Sequence, residues 1–256
     1  MSACSRPDWP ETVATPLTRL RAERPRVHVL TNFVAMNVSA NALLALGAVP
    51  SMTFRADTVA DFVCSARALV VNLGMLDPER EAAIGQAVPA ASALGLPWVL
   101  DPVKVERSGP RRDLALRLLR MRPAVLRANA AEVETLAGLK GLEGAERLAR
   151  EFDCVVALTG ATDIVTDGEQ TVRLAGGSPL MDRVTAMGCA ASAVVGAFLA
   201  VERDACGAAL AALASFAAAG GIAAGRARGP GSFEPELLDA LFALEPGQIM
   251  EKVEFR

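Results

Sequence analysis

Short apolar runs alternate with longer segments of helical spacing along most of the sequence, and this alternation constrains the fold most strongly. Residues 68–73 and 97–100 are nearly continuous apolar runs, which is typical of strands buried on both faces of a sheet. A helical pattern follows each run, at residues 78–94 and 113–121. Because β–α units with short connections pack in parallel, the sequence predicts an α/β fold with a mainly parallel central sheet.

The same pattern covers the rest of the chain without a linker, a repeat or a low-complexity tract. Predicted strands lie at residues 26–31, 49–53, 68–73, 97–100, 124–127, 155–159, 163–166 and 171–174. Predicted helices lie at residues 33–46, 58–66, 78–94, 113–121, 130–137, 145–152, 188–201, 205–224 and 234–242. We therefore expect a single domain over residues 26–256, preceded by an N-terminal extension or helix at residues 1–25.

The composition of the 256-residue chain argues against several classes of protein. A single histidine, His28, rules out a multi-histidine metal site, and its place among valines predicts a hydrogen-bonded core residue. A net charge of −3 and an aromatic content of 4% predict no nucleic-acid partner. Residues 206–225 carry no charge but are mainly alanine and glycine, which predicts a buried helix and no membrane span. Five cysteines without a C-x-x-C pair favour a cytoplasmic location.

Polar residues follow four of the predicted strands. In open parallel sheets, ligands bind beyond the carboxyl ends of the strands, so such residues are candidates for a functional site. One polar residue at a strand end is usually a turn former, but four successive polar ends favour a site. The residues are Asn72 with Gly74, Asp101, Arg127 with Asn129, and Thr159 with Gly160.

A turn of small residues, V-T-A-M-G-C at residues 184–189, opens an uncharged helix. The free backbone N–H groups at such a helix start form an anion site suited to a phosphate group. Cys189 lies in the first turn, where the helix dipole is expected to lower the pKa of its thiol. A simple helix start with a buried cysteine is the alternative interpretation.

Charged residues stand at two of these four strand ends. Arg127 ends a buried-strand pattern, and an arginine there predicts an anionic partner. Asn129 is a good helix N-cap, and Glu132 three residues later completes a capping box or holds Mg²⁺ through water. Asp101 follows an apolar run, either as a cap or as a charge placed for metal and phosphate.

Several segments, in order from about residue 26 to about residue 240, resemble the hydroxyethylthiazole kinase family. They are H-V-L-T-N at 28–32, N-A-L-L-A-L-G-A at 41–48, V-N-L-G at 71–74, L-D-P-V at 100–103, R-A-N-A-A-E at 127–132, L-T-G at 158–160, and residues 184–198 and 229–233. The resemblance implies a three-layer α/β/α ribokinase-like fold. It also implies transfer of the γ-phosphoryl group of ATP, with Mg²⁺, to the hydroxyl of 4-methyl-5-(2-hydroxyethyl)thiazole in thiamine salvage. A homotrimer with active sites between subunits is implied as well.

The resemblance assigns roles to individual residues. It implies an ATP site formed by Arg127, Thr159, Asn129, Asp101 and Gly188. It implies a metal site formed by Glu132 and Asp101, and a thiazole site formed by Met52, Ala186, Asn32 and Gly74. Cys189 occupies the position at which other ribokinase-like enzymes carry the catalytic aspartate, so we expect it to orient or weakly deprotonate the substrate hydroxyl.

Three positions depart from the family pattern, because Lys104, Ala128 and Ala186 stand where glycines are usual. These changes keep two alternatives open: a non-catalytic relative that binds thiazole or nucleotide, and a kinase of another small heterocyclic alcohol. A purely structural oligomer would leave the polar strand ends without a purpose. Consumption of ATP in the presence of hydroxyethylthiazole discriminates between the enzyme and the non-catalytic relative.

Overall fold

The computed structural model describes residues 9–256, so residues 1–8 of the predicted N-terminal extension lie outside the described residues. The strands are β1 (Arg26–Leu30), β2 (Val49–Ser51), β3 (Ala68–Asn72), β4 (Trp98–Asp101), β5 (Val125–Asn129), β6 (Val155–Thr159), β7 (Asp163–Thr166), β8 (Thr171–Ala175) and β9 (Glu254–Phe255). The helices are α1 (Trp9–Glu23), α2 (Met36–Leu46), α3 (Val59–Cys64), α4 (Pro78–Ala93), α5 (Gly109–Leu119), α6 (Ala130–Ala137), α7 (Gly141–Phe152), α8 (Met187–Leu199), α9 (Ala205–Arg226), α10 (Pro230–Ala243) and α11 (Pro246–Lys252).

The strands form one sheet in the order β2-β1-β3-β4-β5-β6-β7-β8-β9. Strands β1 to β6 pair in parallel, whereas β7, β8 and β9 add to the β6 edge in antiparallel fashion. The antiparallel part begins where β7 pairs with β6, and β7 and β8 form the hairpin predicted at Asp167 and Gly168, where the glycine adopts a φ of +93°. The mainly parallel sheet expected from the β–α alternation is therefore confirmed.

Helices cover both faces of the sheet and create two separate apolar cores. The first core contains buried side chains of α1, α2, α8, α9 and α10, and the second contains those of α3 to α7. Strand β3 supplies both cores, because Val70 joins the first while Leu69 and Val71 join the second. This is the three-layer α/β/α arrangement that the resemblance implied.

Two helices of the first core, α1 and α9, correspond to segments for which the sequence made a specific prediction. Helix α1, from the predicted N-terminal extension, buries Val13, Leu17 and Leu20 in this core, and the domain boundary at residue 25 stays a prediction. Helix α9 contains the uncharged segment, and its length and composition would suit a membrane span. Because 83% of its apolar window is buried inside the protein, α9 is the buried helix that its small residues predicted.

The structure starts three helices four residues before their predicted starts and adds two elements. Helix α7 begins at Gly141 and not at residue 145. Helix α5 begins at Gly109 and not at residue 113. Ser108 is its N-cap, because the Ser108 hydroxyl accepts a hydrogen bond from the Arg111 N–H in the first turn. Helix α10 begins at Pro230, where a proline in the first turn loses no helical hydrogen bond. Helix α11 and the two-residue strand β9 were not predicted, since both are too short for a periodic signal.

Candidate active site

The register of the parallel strands brings the polar strand ends together. Asn72 at the end of β3 lies opposite Asp101 at the end of β4, and Asn129 of β5 lies opposite Thr159 of β6. All four residues stand at the carboxyl edge of the sheet, where α/β proteins bind ligands. The polar residues nominated from the sequence therefore lie at one edge of the sheet.

Asp101 is a fully buried carboxylate with two neutral donors on one oxygen. Its Oδ2 accepts hydrogen bonds from Asn72 Nδ2 at 2.8 Å and from Ser192 Oγ at 2.7 Å. Its Oδ1 is buried and has no hydrogen-bond partner among the described residues. Burial raises the pKa of Asp101 to about 6, against the opposing effect of the Arg127 charge. The free oxygen is the atom of this carboxylate that can take a ligand.

Cys189 lies beside Asp101 at the start of α8. The amide nitrogens of Asn72 and Asn32 approach its Sγ at 3.2 and 3.6 Å. Burial, followed by the negative charge of Asp101, raises the pKa of the Cys189 thiol to about 11. The expectation that the helix dipole lowers this pKa is therefore wrong, because the loss of water and a nearby carboxylate outweigh the partial charge of the helix start. At neutral pH, Cys189 is a neutral thiol.

Arg127 lies against the first turn of α8. Its Nη2 donates a short hydrogen bond to Thr159 Oγ1, which joins the ends of β5 and β6. A Cβ at position 188 would lie 2.7 Å from Arg127 Nη1, so glycine at this position lets the guanidinium approach the helix start. The guanidinium and the N–H groups of the first turn both favour an anion, and together they form a candidate anion site.

Asn129 and Glu132 form the predicted capping box of α6. Asn129 Oδ1 accepts from the Glu132 N–H at 3.0 Å, and Glu132 Oε2 accepts from the Asn129 N–H at 2.9 Å. The other oxygen, Oε1, accepts from the Lys104 N–H at 2.9 Å. The capping interpretation is therefore correct, and the carboxylate also holds the turn after β4. Each oxygen keeps a second lone pair for a further ligand.

A cavity of about 610 Å³ opens at this edge of the sheet. We call the part of its lining formed by the strand ends and the α8 start the polar end; it includes Asp101, Arg127, Asn129, Glu132, Thr159, Gly188 and Cys189. We call the part formed by apolar side chains, including Met181, Leu213, Phe216 and Ala217, the apolar end. A lining that combines an arginine, carboxylates and a helix start with apolar side chains fits a ligand that joins phosphates to a flat base.

The structure places the residues expected to bind thiazole outside the lining of this cavity. Asn32 and Gly74 instead meet at the Asn72 side chain, where Asn72 Oδ1 accepts from Asn32 Nδ2 at 3.1 Å and from the Gly74 N–H at 3.0 Å. Met52 is half-buried against the first apolar core. Ala186 is the residue before α8. These four residues are therefore not part of the lining of this cavity.

Two of the positions where the family pattern has glycine adopt left-handed backbone conformations. Ala186 has a φ of +64° and Lys104 a φ of +60°. Both values favour glycine, since a Cβ in this region meets the following carbonyl. The Lys104 side chain is mostly exposed, borders the cavity and places its Nζ 3.9 Å from Glu106 Oε1.

His28 is a structural residue, as predicted. It is fully buried, with Nδ1 2.8 Å from Ser51 Oγ and Nε2 3.0 Å from the Thr53 carbonyl oxygen. Since only a protonated Nε2 can donate to a carbonyl, the neutral ring carries its hydrogen there. Burial lowers the pKa of His28 to about 4, so the ring is neutral at physiological pH.

Sequence reasoning missed two polar residues of the site. Ser192 donates to Asp101 from one turn beyond Cys189, and its signal was a lone serine in a helix of alanine and valine. Asp163 borders the cavity, and its Oδ1 accepts from the Gly160 N–H at 2.9 Å. Its place at the first position of β7 resembles an ordinary turn residue, so no sequence signal separated it from one.

Comparisons with known proteins agree with this arrangement. The model of the hydroxyethylthiazole kinase family matches residues 17–247. A hydroxyethylthiazole kinase of Cereibacter sphaeroides is 47% identical over 246 residues, which cover 91% of this chain and 94% of that protein. A hydroxyethylthiazole kinase of Granulibacter bethesdensis is 47% identical over 243 residues, which cover 90% and 89%.

Solved structures show the same relationship. The hydroxyethylthiazole kinase protein from Pyrococcus horikoshii superposes with a TM-score of 0.92 at 38% identity, covering 96% of this chain and 98% of that chain. The pyridoxal kinase of Bacillus subtilis, solved as an ADP complex, has a TM-score of 0.61 at 18% identity and covers 77% and 91%. The second likeness shows the shared ribokinase-like fold, whereas the family match and the close relatives carry the assignment. The chain belongs to the hydroxyethylthiazole kinase family.

Proposed function

We propose that this protein transfers the γ-phosphoryl group of ATP to the hydroxyl of 4-methyl-5-(2-hydroxyethyl)thiazole, giving the thiazole phosphate for thiamine biosynthesis or salvage. Family membership supports this activity. The observation that carries it is the contact of Arg127 with the first turn of α8, at the polar end of a cavity of about 610 Å³. Phosphoryl transfer depends mainly on positioning and charge neutralisation, and this arrangement supplies both.

The ATP phosphates bind at the polar end of the cavity. Arg127 neutralises their charge, Thr159 holds the guanidinium in place, and the N–H groups from Gly188 onward donate to phosphate oxygens. Asn129 and Asp101 border the same space. The apolar end, with Phe216 and Leu213 among its side chains, receives the base. The cavity therefore orders the nucleotide along its length.

A divalent cation fits the carboxylates of this site, and Mg²⁺ is the ion we propose. Among the described residues, no group of three or more histidine, cysteine, aspartate and glutamate side chains is placed to hold a metal by itself. Asp101 Oδ1, however, is buried without a partner, and Glu132 borders the same cavity. Mg²⁺ commonly binds through one or two carboxylates together with phosphate oxygens, so Asp101 and Glu132 would hold it with ATP. The ion would supply additional neutralisation of phosphate charge.

Cys189 stands at the acceptor hydroxyl in this proposal. Because its thiol is neutral at physiological pH, Cys189 orients the hydroxyl by hydrogen bonding and does not act as a strong base. The two asparagine amides fix the sulfur in place. In a loose transition state the attacking hydroxyl forms little of its new bond, so it does not need to be fully deprotonated. A residue that only orients the hydroxyl can therefore assist the reaction.

The thiazole site is proposed to lie between subunits of a homotrimer. Phe33, Val34 and Met75 are large apolar side chains, each about half exposed, and they adjoin Asn32 and Gly74. Exposed apolar groups beside candidate ligand residues favour a subunit contact there. The partner subunit would complete a thiazole pocket that Met52, Ala186, Asn32 and Gly74 only begin in one chain.

The remaining parts of the proposal concern the whole chain. Residues 26–256 form the kinase domain and residues 1–25 form an N-terminal extension that contains α1. The partners are ATP and the thiazole alcohol, without nucleic acid or membrane. Because ATP is the phosphoryl donor, the proposed location is the cytoplasm.

The test is release of ADP on addition of hydroxyethylthiazole, with ATP and Mg²⁺ present. We expect turnover by the wild type and a loss of about 100-fold or more in kcat/KM for Arg127→Ala. Arg150→Ala is the matched control, because Arg150 donates to the Gly168 carbonyl in the hairpin, away from the cavity, and should retain activity. Binding of ATP or thiazole without turnover would favour the non-catalytic relative and overturn the proposed reaction.

A further inference from the structure

Arg80 is a buried arginine whose guanidinium points back to the end of β3. It is the third residue of α4 and only 1% exposed. Asp77 caps the same helix by accepting from the Arg80 N–H at 2.8 Å. The chain therefore turns tightly between β3 and α4, with the arginine side chain inside the turn.

The guanidinium donates to three backbone carbonyls of this turn. Nη2 donates to the Asn72 carbonyl oxygen at 2.9 Å, and Nη1 donates to the carbonyl oxygens of Met75, at 2.9 Å, and Gly74. Burying a guanidinium is unfavourable unless its donors are satisfied, and here neutral carbonyls satisfy Nη1 and Nη2, whereas the buried Nε has no hydrogen-bond partner among the described residues. Met75 has a φ of +49°, an unfavourable conformation for a residue with a Cβ, and the guanidinium stabilises it.

The turn that Arg80 holds carries the side chain at the centre of the site. Asn72 Nδ2 donates to Asp101 and lies 3.2 Å from Cys189 Sγ. Asn72 Oδ1 accepts from the Gly74 N–H within the same turn. Because the backbone of Asn72 is bonded to Arg80 and its side chain to the site, a shift of the turn moves the asparagine amide.

We propose that Arg80 is a positioning residue for phosphoryl transfer, which holds the turn at residues 72–75 so that the Asn72 amide meets Asp101 and Cys189. This inference rests on the proposed function, because it gives Asp101 and Cys189 their roles. Neither Arg80 nor its three carbonyl partners line the nucleotide cavity, so its effect is transmitted through Asn72.

Arg80→Lys tests the proposal, because lysine keeps the charge but cannot reach three carbonyls at once. We expect kcat to fall by about tenfold or more, since small misplacements of reacting groups are costly, while KM for ATP changes by less than about twofold. Arg150→Lys is the matched control, since it removes an arginine-to-carbonyl bond in the distant hairpin. Its kcat should stay within about twofold of wild type.

Gly74→Ala is the second variant, and it moves the same turn without disturbing a buried charge. An added Cβ would lie 2.8 Å from Asn32 Nδ2 and 3.0 Å from Asn72 Oδ1. We expect the same fall in kcat at nearly constant KM for ATP. The double variant Arg80→Lys/Gly74→Ala should lose no more than about twofold beyond the worse single variant, because both act on one turn. Because Gly74 is also a proposed thiazole residue, kcat is measured at saturating thiazole, and this variant then provides the test if Arg80→Lys does not fold.

Hydrogen exchange gives a readout that does not depend on turnover. In Arg80→Lys, amide exchange in a peptide covering residues 72–77 should become faster than in wild type, whereas Arg150→Lys should change only residues 166–171. Absence of wild-type turnover would contradict the proposed function. Hydrogen exchange would still test whether Arg80 holds the turn at residues 72–75. A kcat of Arg80→Lys within twofold of wild type, full additivity with Gly74→Ala, or unchanged exchange at residues 72–77 would each overturn the positioning role.

Discussion

Asn72 and Asp101 lie opposite each other at the ends of neighbouring parallel strands, and Asn72 Nδ2 donates a 2.8 Å hydrogen bond to Asp101 Oδ2. Ser192 donates to the same oxygen, so the carboxylate presents its other oxygen, Oδ1, without a partner. The orientation of Asp101 is therefore set by two neutral side chains. This arrangement leaves one buried acceptor for a cation or a phosphate-bound ligand.

Replacing Asp101 by asparagine should abolish most of the activity and leave the fold intact. The amide still accepts from Asn72 through its oxygen, but it removes the negative charge beside the phosphates. We expect kcat to fall by about 100-fold or more, with a melting temperature close to that of wild type. Asp153→Asn, at an exposed aspartate paired with Arg122, is the control in steady-state kinetics and thermal melts. Equal kinetic effects of the two substitutions would refute the role of Asp101.

Gly188→Ala should separate nucleotide binding from stability. The new Cβ would lie 2.7 Å from Arg127 Nη1 and push the guanidinium away from the helix start. We expect KM for ATP to rise by about tenfold or more, whereas a glycine-to-alanine change in a helix adds up to about 1 kcal/mol of stability. Gly85→Ala, in a helix with open space around the glycine, should add stability without changing KM. Unchanged ATP kinetics in Gly188→Ala would contradict this account of Arg127.

Ala186→Gly should stabilise the protein. Ala186 adopts a φ of +64°, and glycine removes the steric conflict of its Cβ, for a gain of about 0.5–1 kcal/mol in the free energy of unfolding. Ala190→Gly, one turn into the same helix, should instead lose about 1 kcal/mol, because it lies in a regular helical conformation. Urea denaturation compares the two. A loss of stability in both variants would argue against strain at Ala186.

Cys189 should react slowly with alkylating agents at neutral pH. Burial and Asp101 raise the pKa of its thiol to about 11, so the thiolate is a small fraction and alkylation should accelerate about tenfold per pH unit between pH 7 and 9. Cys64, which is exposed, provides the reference thiol in peptide-resolved mass spectrometry. Fast alkylation of Cys189 at pH 7 would show that the thiol is activated.

A carboxylate at position 189 should support the reaction. In Cys189→Asp, the new side chain can accept the hydroxyl proton, so we expect kinase activity equal to or above that of wild type. Cys189→Ala, which can neither orient nor accept, should lose activity, and steady-state kinetics at saturating ATP distinguish the two. Complete loss of activity in Cys189→Asp would contradict the placement of Cys189 at the acceptor hydroxyl.

His28 should make stability depend on pH. Its folded pKa of about 4 lies below the unfolded value near 6.5, so protonation favours the unfolded state and stability falls as the pH drops from about 6.5 toward 4. For a shift of this size the loss is about 3 kcal/mol. The stability advantage of wild type over His28→Gln should therefore narrow by that amount between pH 7 and pH 4. A constant difference across that range would contradict the buried neutral histidine.

The parallel sheet could be predicted from the sequence. Apolar runs at β3 and β4 indicated buried parallel strands, and the polar residues after them, Asn72 and Asp101, were candidates for a site, although their pairing was not predicted. The capping box of Asn129 and Glu132 was equally legible, because it depends on residues only three apart. Short-range patterns and strand order are properties that a sequence expresses directly.

Properties that depend on neighbours distant in sequence, such as the pKa of a buried group, could not be predicted. The pKa of Cys189 was assigned the wrong direction, because the helix start is visible in the sequence but the apolar surroundings and the Asp101 charge are not. Arg80 resembles an exposed residue in a run of charges, E-R-E, and only the folded turn shows its three carbonyl partners. The residues expected to bind thiazole also lie outside the lining of the nucleotide cavity, which a linear motif cannot indicate.

The most direct test of the proposed kinase activity is mass-spectrometric detection of the product formed from ATP and equimolar hydroxyethylthiazole, pyridoxal and hydroxymethylpyrimidine. The account predicts thiazole phosphate as the main product, with a kcat/KM about 100-fold or more above that for either competitor. Formation of no phosphorylated alcohol, or of mainly pyridoxal phosphate or hydroxymethylpyrimidine phosphate, would contradict it.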